Sequence, residues 1–394
     1  MTNQLKYLEG MISDLKNQSL YSWPRTLDGA NKAVCIYDGK EVINLSANNY
    51  LGLCDHPKLI ERAIEYTKKY GAGPGAVRTI AGSMKIHLDL EAKIADFKHC
   101  EACLLYQSGY TANAGTSAAI LDKESIVYSD KLNHASIIDG IRISGCDKGI
   151  YEHSDINHLT QLIEENKVKP HKRSLLVTDG VFSMDGDIAK LPELVNIAEK
   201  YGLILMIDDA HSSGVLGSHG RGTVDHYKLH GKVDVQVGTL SKAIGVLGGY
   251  VVGTRALIDW LMNRGRPILF STSLPPAAVG AVDAAFDLLI ESDELQKTLW
   301  KNREYWAKGL KDAGFNIGNS ATPIVPIIAG ENERAVKLSR RLFEEGVFAQ
   351  SIVFPTVPKG TARVRTIVTA KHAPKILDKA LDAFKKVGKE LGII

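Results

Sequence analysis

Short apolar runs closed by small, polar or acidic residues recur through the first two-thirds of the chain. Segments 102–106, 125–129, 174–178, 203–207 and 233–237 are of this kind, which is the pattern of strands buried on both faces. Between and before them, 59–70, 88–97 and 191–201 carry apolar residues at helical spacing. Strand–helix alternation of this sort predicts an α/β fold, with a mostly parallel sheet flanked by helices on both sides. Ligands on such sheets gather beyond the carboxyl ends of the strands. Ser108-Gly109, Asp179, Asp208-Asp209 and Thr239 all follow predicted strand ends, so their chemistry should converge in space.

Beyond a long helix at 277–290 the alternation loosens. Helices at 295–314, 333–346 and 374–391 enclose strands at 324–328 and 362–368. The expected organisation is an N-terminal arm over 1–45, a large domain over 46–285 and a smaller C-terminal α+β domain over 286–394. Within the arm, Leu5, Leu8, Met11 and Leu15 have helical spacing ahead of a turn at Trp23-Pro24.

Composition adds mainly exclusions. The chain has 394 residues, 44% hydrophobic and 24% charged, with a net charge of +3. That is the balance of a globular protein, and the charge is too small to argue for nucleic acid or an anionic membrane. The most apolar stretch, 243–253, is short and glycine-rich and cannot span a bilayer. With no signal-peptide pattern at the start, the expected location is the cytoplasm. Five cysteines form no disulfide framework. Cys100 and Cys103 make a C-x-x-C without a second ligand pair, and His226 and His230 lack a third ligand in sequence. No metal is expected.

Five stretches carry candidate chemistry. In Gly238-Thr239-Leu240-Ser241-Lys242, a lysine just beyond a buried strand is partly desolvated, which lowers its pKa and frees its amine for a Schiff base. Thr239 and Ser241 can offer hydroxyls to a phosphate. A lone Ser-Lys dipeptide is ordinarily an exposed loop. In Asp208-Asp209-Ala210-His211, a strand-end carboxylate needs a cation or donor when buried. Strand alternation sends the two aspartates to opposite faces, so only one can meet the ligand, and the pattern does not choose between them. Ser108-Gly109-Tyr110 closes a strand and opens a helix, a geometry suited to phosphate as well as to an ordinary turn. His134, in Asn133-His134-Ala135-Ser136, is placed to stack on a planar ligand or to move a proton, unless it is structural. Arg363 and Arg365 fall on one face of a predicted strand, where a guanidinium fork suits an amino-acid carboxylate; an exposed edge strand is the alternative.

Taken in order, seven motifs resemble those of the α-oxoamine synthase family of fold-type I pyridoxal-phosphate transferases. They are Ser46-Ala-Asn-Asn-Tyr-Leu-Gly-Leu53, Ser129-Asp-Lys-Leu-Asn-His-Ala-Ser136, Thr178-Asp-Gly-Val-Phe-Ser-Met-Asp-Gly186, Asp208-Asp-Ala-His211, Gly238-Thr-Leu-Ser-Lys242, Phe270-Ser-Thr-Ser273 and Pro358-Lys-Gly-Thr-Ala-Arg-Val-Arg365. The resemblance implies a pyridoxal-phosphate enzyme that joins an amino acid to an acyl-coenzyme A. It assigns Lys242 as the cofactor-bearing lysine and base, Asp208 as partner of the pyridine nitrogen and His134 as the stacking group. It also implies Ser183 and His211 at the ring oxygen, with Ser108, Gly109, Tyr110, Thr239 and Ser241 around the phosphate. Thr272 is expected to reach the phosphate in a neighbouring subunit, which implies a homodimer. Asn48, His134, Thr356 and Arg363 are expected to touch substrate. Within the family, Asn48-Asn-Tyr, Asn133-His-Ala-Ser-Ile-Ile-Asp-Gly140 and Asp208-Asp-Ala-His211 look most like glycine C-acetyltransferases, implying glycine and acetyl-CoA in threonine degradation. The alternative branch, 8-amino-7-oxononanoate synthase, more often shows Asn-Asp-Tyr and Asp-Glu-Ala-His and takes alanine with a pimeloyl thioester. An aminotransferase would share the lysine and aspartate but need no thioester.

Overall fold

A computed structural model describes residues 3–17, 20–21 and 23–394. Its centre is a seven-stranded sheet in the spatial order Ala102–Tyr106, Gly249–Gly253, Val235–Thr239, Ile204–Asp208, Arg173–Asp179, Ser125–Asp130 and Asp147–Tyr151. Only Gly249–Gly253 runs against the rest. Leu175, Leu176 and Val177 of one strand and Leu205, Met206 and Ile207 of the next are wholly buried, because helices cover both faces. The α/β expectation is met, and the parallel strands deliver their carboxyl ends to one edge.

Two of the seven strands are not apparent from the hydrophobic pattern. Asp147–Tyr151 lies at the sheet edge, and half of its positions face outward, so it has no apolar run. Gly249–Gly253 is hidden by its glycines, which the packing requires. A Cβ on Gly249 would lie 2.4 Å from the carbonyl oxygen of Ser108. Only glycine lets this strand pass beneath the turn at Ser108.

The C-terminal part carries a second, antiparallel sheet of Ile324–Gly330, Ala362–Ile367 and Gln350–Ile352, packed by Glu294–Asp312, Asn332–Glu344 and Pro374–Glu390. Its core holds the buried Trp306, whose indole N–H donates to Thr366 Oγ1 at 2.8 Å. A third sheet joins distant parts of the chain. The hairpin of Val34–Tyr37 and Lys40–Asn44 lies within the stretch read as an arm, and it pairs in parallel with Val347–Phe348. Before it, the helix Tyr7–Asn17 has no buried residue. No helix among the described residues is long and apolar enough to cross a membrane.

Candidate active site

The parallel strand ends enclose a cavity of about 210 Å³. Ser108, Gly109, Tyr110, His134, Ser183, Asp208, His211, Thr239, Ser241 and Lys242 all line it. These residues come from five separate segments, and the topology brings them together as the strand-end argument requires. Asn113, Ser136, Asp179, Val181 and Ala210 complete the wall.

At one end, Ser108 caps the helix Gly109–Ile120 by accepting from the Thr111 amide at 3.1 Å. The first-turn amides of this helix have no intrahelical acceptor and carry its positive end. Gly109 must be small: a Cβ there would come 3.0 Å from Cβ of Thr239. Thr239 Oγ1 and Ser241 Oγ lie 2.8 Å apart beside this turn. Together these groups form a cradle of N–H and O–H donors of the kind that suits a phosphate.

At the other end the adjacent aspartates separate as strand alternation demands. Asp208 faces the cavity, where its carboxylate accepts from Asn113 Nδ2 at 2.6 Å and from the Ala210 amide at 2.8 Å. Asp209 points behind the sheet to a buried ion pair with Lys98 at 2.8 Å. Asp179, neighbour of Asp208 across the strands, accepts the His134 amide at 2.9 Å. Burial and the Asp208 charge push the Asp179 carboxyl well above the usual carboxylate range.

His134 is held by its surroundings. Asn133 spans two strands, donating to Ser129 Oγ and the Val177 carbonyl and accepting from the Asp179 amide. The imidazole Nδ1 accepts from the Ser136 amide at 3.2 Å and contacts Ser136 Oγ at 2.7 Å, which assigns the ring proton to Nε2. Burial lowers its pKa, so the ring is held neutral near pH 7. His211 is buried against the Tyr50 hydroxyl, 2.8 Å from its Nδ1. Burial and the charges of Lys242 and Arg365 hold it well below the ordinary histidine range.

Lys242 lies among these groups. Desolvation lowers its pKa to about 8 although the Asp208 and Asp179 carboxylates oppose the shift. A free amine is thus available near neutrality, as a Schiff-base lysine needs.

The remaining expected residues lie off the cavity. Thr272 is exposed and forms a β-bridge with Val77. Thr356 is exposed, and Asn48 is half-buried with an unpartnered Oδ1. Arg363 is engaged elsewhere, ion-paired with Asp185 and donating to the Met184 carbonyl at 3.1 Å. Arg365, on the same face, donates to the Ser183 carbonyl at 3.1 Å and has no carboxylate partner among the described residues. Its charge is felt at Lys242, His211 and Tyr50. Sequence reasoning did not single out Asn113, Tyr50 or Ser136. For Asn113 one signal exists: it is an amide within an otherwise small-residue helix, one turn beyond Gly109.

A donor cradle at one end, an enclosed amine in the middle and a buried carboxylate at the other match the phosphate, aldehyde and ring nitrogen of pyridoxal phosphate. Comparison with known proteins agrees. The family model for aminotransferase class I and II matches residues 40–384. The chain belongs to that family.

Among class I and II members, the 8-amino-7-oxononanoate synthase of Treponema denticola is 56% identical, over 100% of this chain and 99% of its own length. 8-Amino-7-oxononanoate synthase 1 of Bacillus subtilis is 50% identical over the whole of both chains. Among solved structures, a serine palmitoyltransferase of S. paucimobilis with pyridoxal phosphate and myriocin bound superposes with a TM-score of 0.93 at 28% identity over 100% of both chains. An 8-amino-7-oxononanoate synthase of Francisella tularensis gives 0.77 at 26%, over 90% of this chain and 99% of that one. This class I and II chain is a pyridoxal-phosphate-dependent acyltransferase of the α-oxoamine synthase type.

The expectation of a glycine C-acetyltransferase, and with it a place in threonine degradation, is overturned by these full-length identities. The structure explains why the motif wording misled. Asn49 does not line the cavity: its Oδ1 accepts the Leu53 amide at 2.9 Å and its Nδ2 donates to the Asn31 carbonyl. Asp209 is buried behind the strand against Lys98. Asn49 and Asp209, two of the positions that pointed to the acetyl branch, are scaffolding, so neither reports on the acyl chain.

Proposed function

We propose that this chain condenses alanine with a pimeloyl thioester, releasing the thiol and carbon dioxide to give 8-amino-7-oxononanoate for biotin synthesis. What carries the reading is 50–57% identity to curated 8-amino-7-oxononanoate synthases over the full chain. The site's geometry supports the chemistry. Pyridoxal phosphate, held at Lys242, supplies an electron sink that lets the amino-acid Cα carry negative charge. Asp208 keeps a fixed negative charge where the pyridine nitrogen would lie, backed by Asn113 and the Ala210 amide. Lys242, with its pKa near 8, takes the proton from Cα. His134 presents Nε2–H from a ring locked by Ser136 and Asp179. The helix Gly109–Ile120, Thr239 and Ser241 bind the phosphate, while Ser183 and His211 serve the ring oxygen.

Arg365, rather than Arg363, is assigned to the substrate carboxylate, because Arg363 is already neutralised by Asp185. Asn48, with its unpartnered Oδ1, takes part in the same subsite. Arg365→Lys is expected to raise the amino-acid KM at least about tenfold with the cofactor spectrum unchanged, since an ammonium cannot reproduce the bidentate fork. An unchanged KM, with the rise appearing in Arg363→Lys instead, returns the role to Arg363.

Surface chemistry supports a homodimer. Ile80 and Phe270 flank the Val77–Thr272 bridge and are 82% and 72% exposed. An apolar surface of this kind is suited to a second copy. In that arrangement Thr272 would complete the partner's phosphate site.

The deciding experiment measures thiol release by the cofactor-loaded protein. Alanine with pimeloyl-CoA is expected to exceed glycine with acetyl-CoA by about 10²-fold or more in kcat/KM. Faster turnover of the glycine–acetyl pair sinks the assignment.

A further inference from the structure

At the end of the sheet opposite Lys242, three metal-ligating side chains from separate segments meet. His99 follows the helix Lys85–Phe97, Asp225 lies in the short helix Thr223–His226, and His230 precedes the strand Val235–Thr239. One ligand atom from each lies within 4.8 Å of the other two. His230 Nε2 is 2.9 Å from Asp225 Oδ1, and the His99 and His230 rings meet edge to face at 5.0 Å. His226, paired with His230 by sequence spacing, instead packs on Tyr227.

We propose that His99, Asp225 and His230 form a binding site for a zinc-class divalent cation. Two imidazoles and one carboxylate are a donor set that tetrahedral Zn²⁺ accepts, with water in the fourth position. Ligand atoms in such a site lie about 3.3 Å apart at bond lengths of about 2.0–2.1 Å. The His230–Asp225 edge is already shorter than that, and closure asks only that His99 move in from an exposed loop. The cation replaces the proton now shared by His230 Nε2 and Asp225 Oδ1. The other Asp225 oxygen accepts the Ser218 amide at 2.6 Å, a support of the kind that orients metal-binding carboxylates. His99 itself sits at φ 54°, a backbone conformation uncommon for a non-glycine residue.

The site has a structural role, because it closes a loop around the buried ion pair. Lys98, next to His99, holds Asp209 Oδ2, and the Thr223 amide donates to Asp209 Oδ1 at 3.2 Å. Joining His99 to Asp225 clamps both segments that enclose Asp209. The active-site cavity is beyond the opposite ends of the same strands, so turnover is expected to be indifferent to the cation.

The test uses the cofactor-loaded full chain, stripped with chelator and titrated with Zn²⁺ against a chromophoric competitor. Wild type is expected to bind one Zn²⁺ per chain and to gain several degrees in melting temperature. His99→Asn suits the left-handed backbone and removes the imidazole; His230→Gln removes the second. Each is expected to weaken binding by at least about tenfold and abolish the thermal gain, with kcat within twofold of wild type. Co²⁺ should give wild type the intense visible bands of a tetrahedral site. No Zn²⁺ uptake by wild type, or uptake and thermal gain retained in both variants, overturns the proposal.

Discussion

Lys242→Ala is expected to abolish the borohydride-reducible cofactor absorbance and lower kcat at least about 10⁴-fold, the upper range for loss of a positioned acid–base group. The fold should survive. Lys242 is a desolvated amine whose pKa is lowered to about 8 and which makes no direct ion pair among the described residues, so removing it relieves a burial cost, while Asp179, which loses its favourable charge, keeps the His134 amide as a donor. Asp208 retains Asn113 and the Ala210 amide. Partial rescue by an added small primary amine would identify proton transfer as the lost function. Borohydride fixing the cofactor on another lysine, or turnover within tenfold of wild type, refutes the assignment. Lys98 is no substitute, since it is buried in its pair with Asp209.

Asp208→Asn is expected to lower kcat about 10²–10³-fold, or about 3–4 kcal/mol of transition-state stabilisation. The change removes the fixed charge and little else. Asn113 now donates to Asp208, while its own Oδ1 has no partner. Rotating the Asn113 amide would present that oxygen to the new side-chain N–H₂, so the cavity wall can rebuild its hydrogen bond. Circular dichroism should match wild type while the cofactor spectrum and kcat change. An Asp208→Asn enzyme with normal kcat would move the ring-nitrogen role to Asp179. The two carboxylates differ in what they do: Asp179, pushed up by burial and by its neighbour, holds the His134 amide, whereas Asp208 faces the cavity with two donors behind it.

How far the fold and site could be read from the chain depended on whether the needed signal was local. Strands buried on both faces announced themselves as apolar runs. Asp147–Tyr151 did not, because an edge strand half in solvent has no such run. The separation of Asp208 from Asp209, and the common face of Arg363 and Arg365, are period-two facts and were legible. Which arginine stays free was not: Asp185, which neutralises Arg363, comes from a segment far away in sequence. Asn113 and Ser136 act through contacts between helices, and Tyr50 through a contact between the N-terminal loop and Asp208–His211. The acyl branch was illegible for a related reason: Asn49 and Asp209, whose identities pointed to the acetyl branch, are buried supports that do not line the cavity.

The hairpin that joins the two ends of the chain has a consequence for biosynthesis. The Ile43 amide donates to Gly346, the Leu45 amide to Phe348, the Ile367 amide to Leu45, and the Ala370 amide to Tyr50. The segment bearing Asn48 and Tyr50 is thus held in part by residues that leave the ribosome late in translation. A nascent chain can assemble its central sheet early, but the Ala370 amide that holds the Tyr50 carbonyl arrives only after the strand Ala362–Ile367 has emerged. The backbone on both sides of Asn48 is therefore fully pinned only late in synthesis, and a chain terminated before Ala362–Ile367 leaves the Leu45 and Tyr50 carbonyls without these partners.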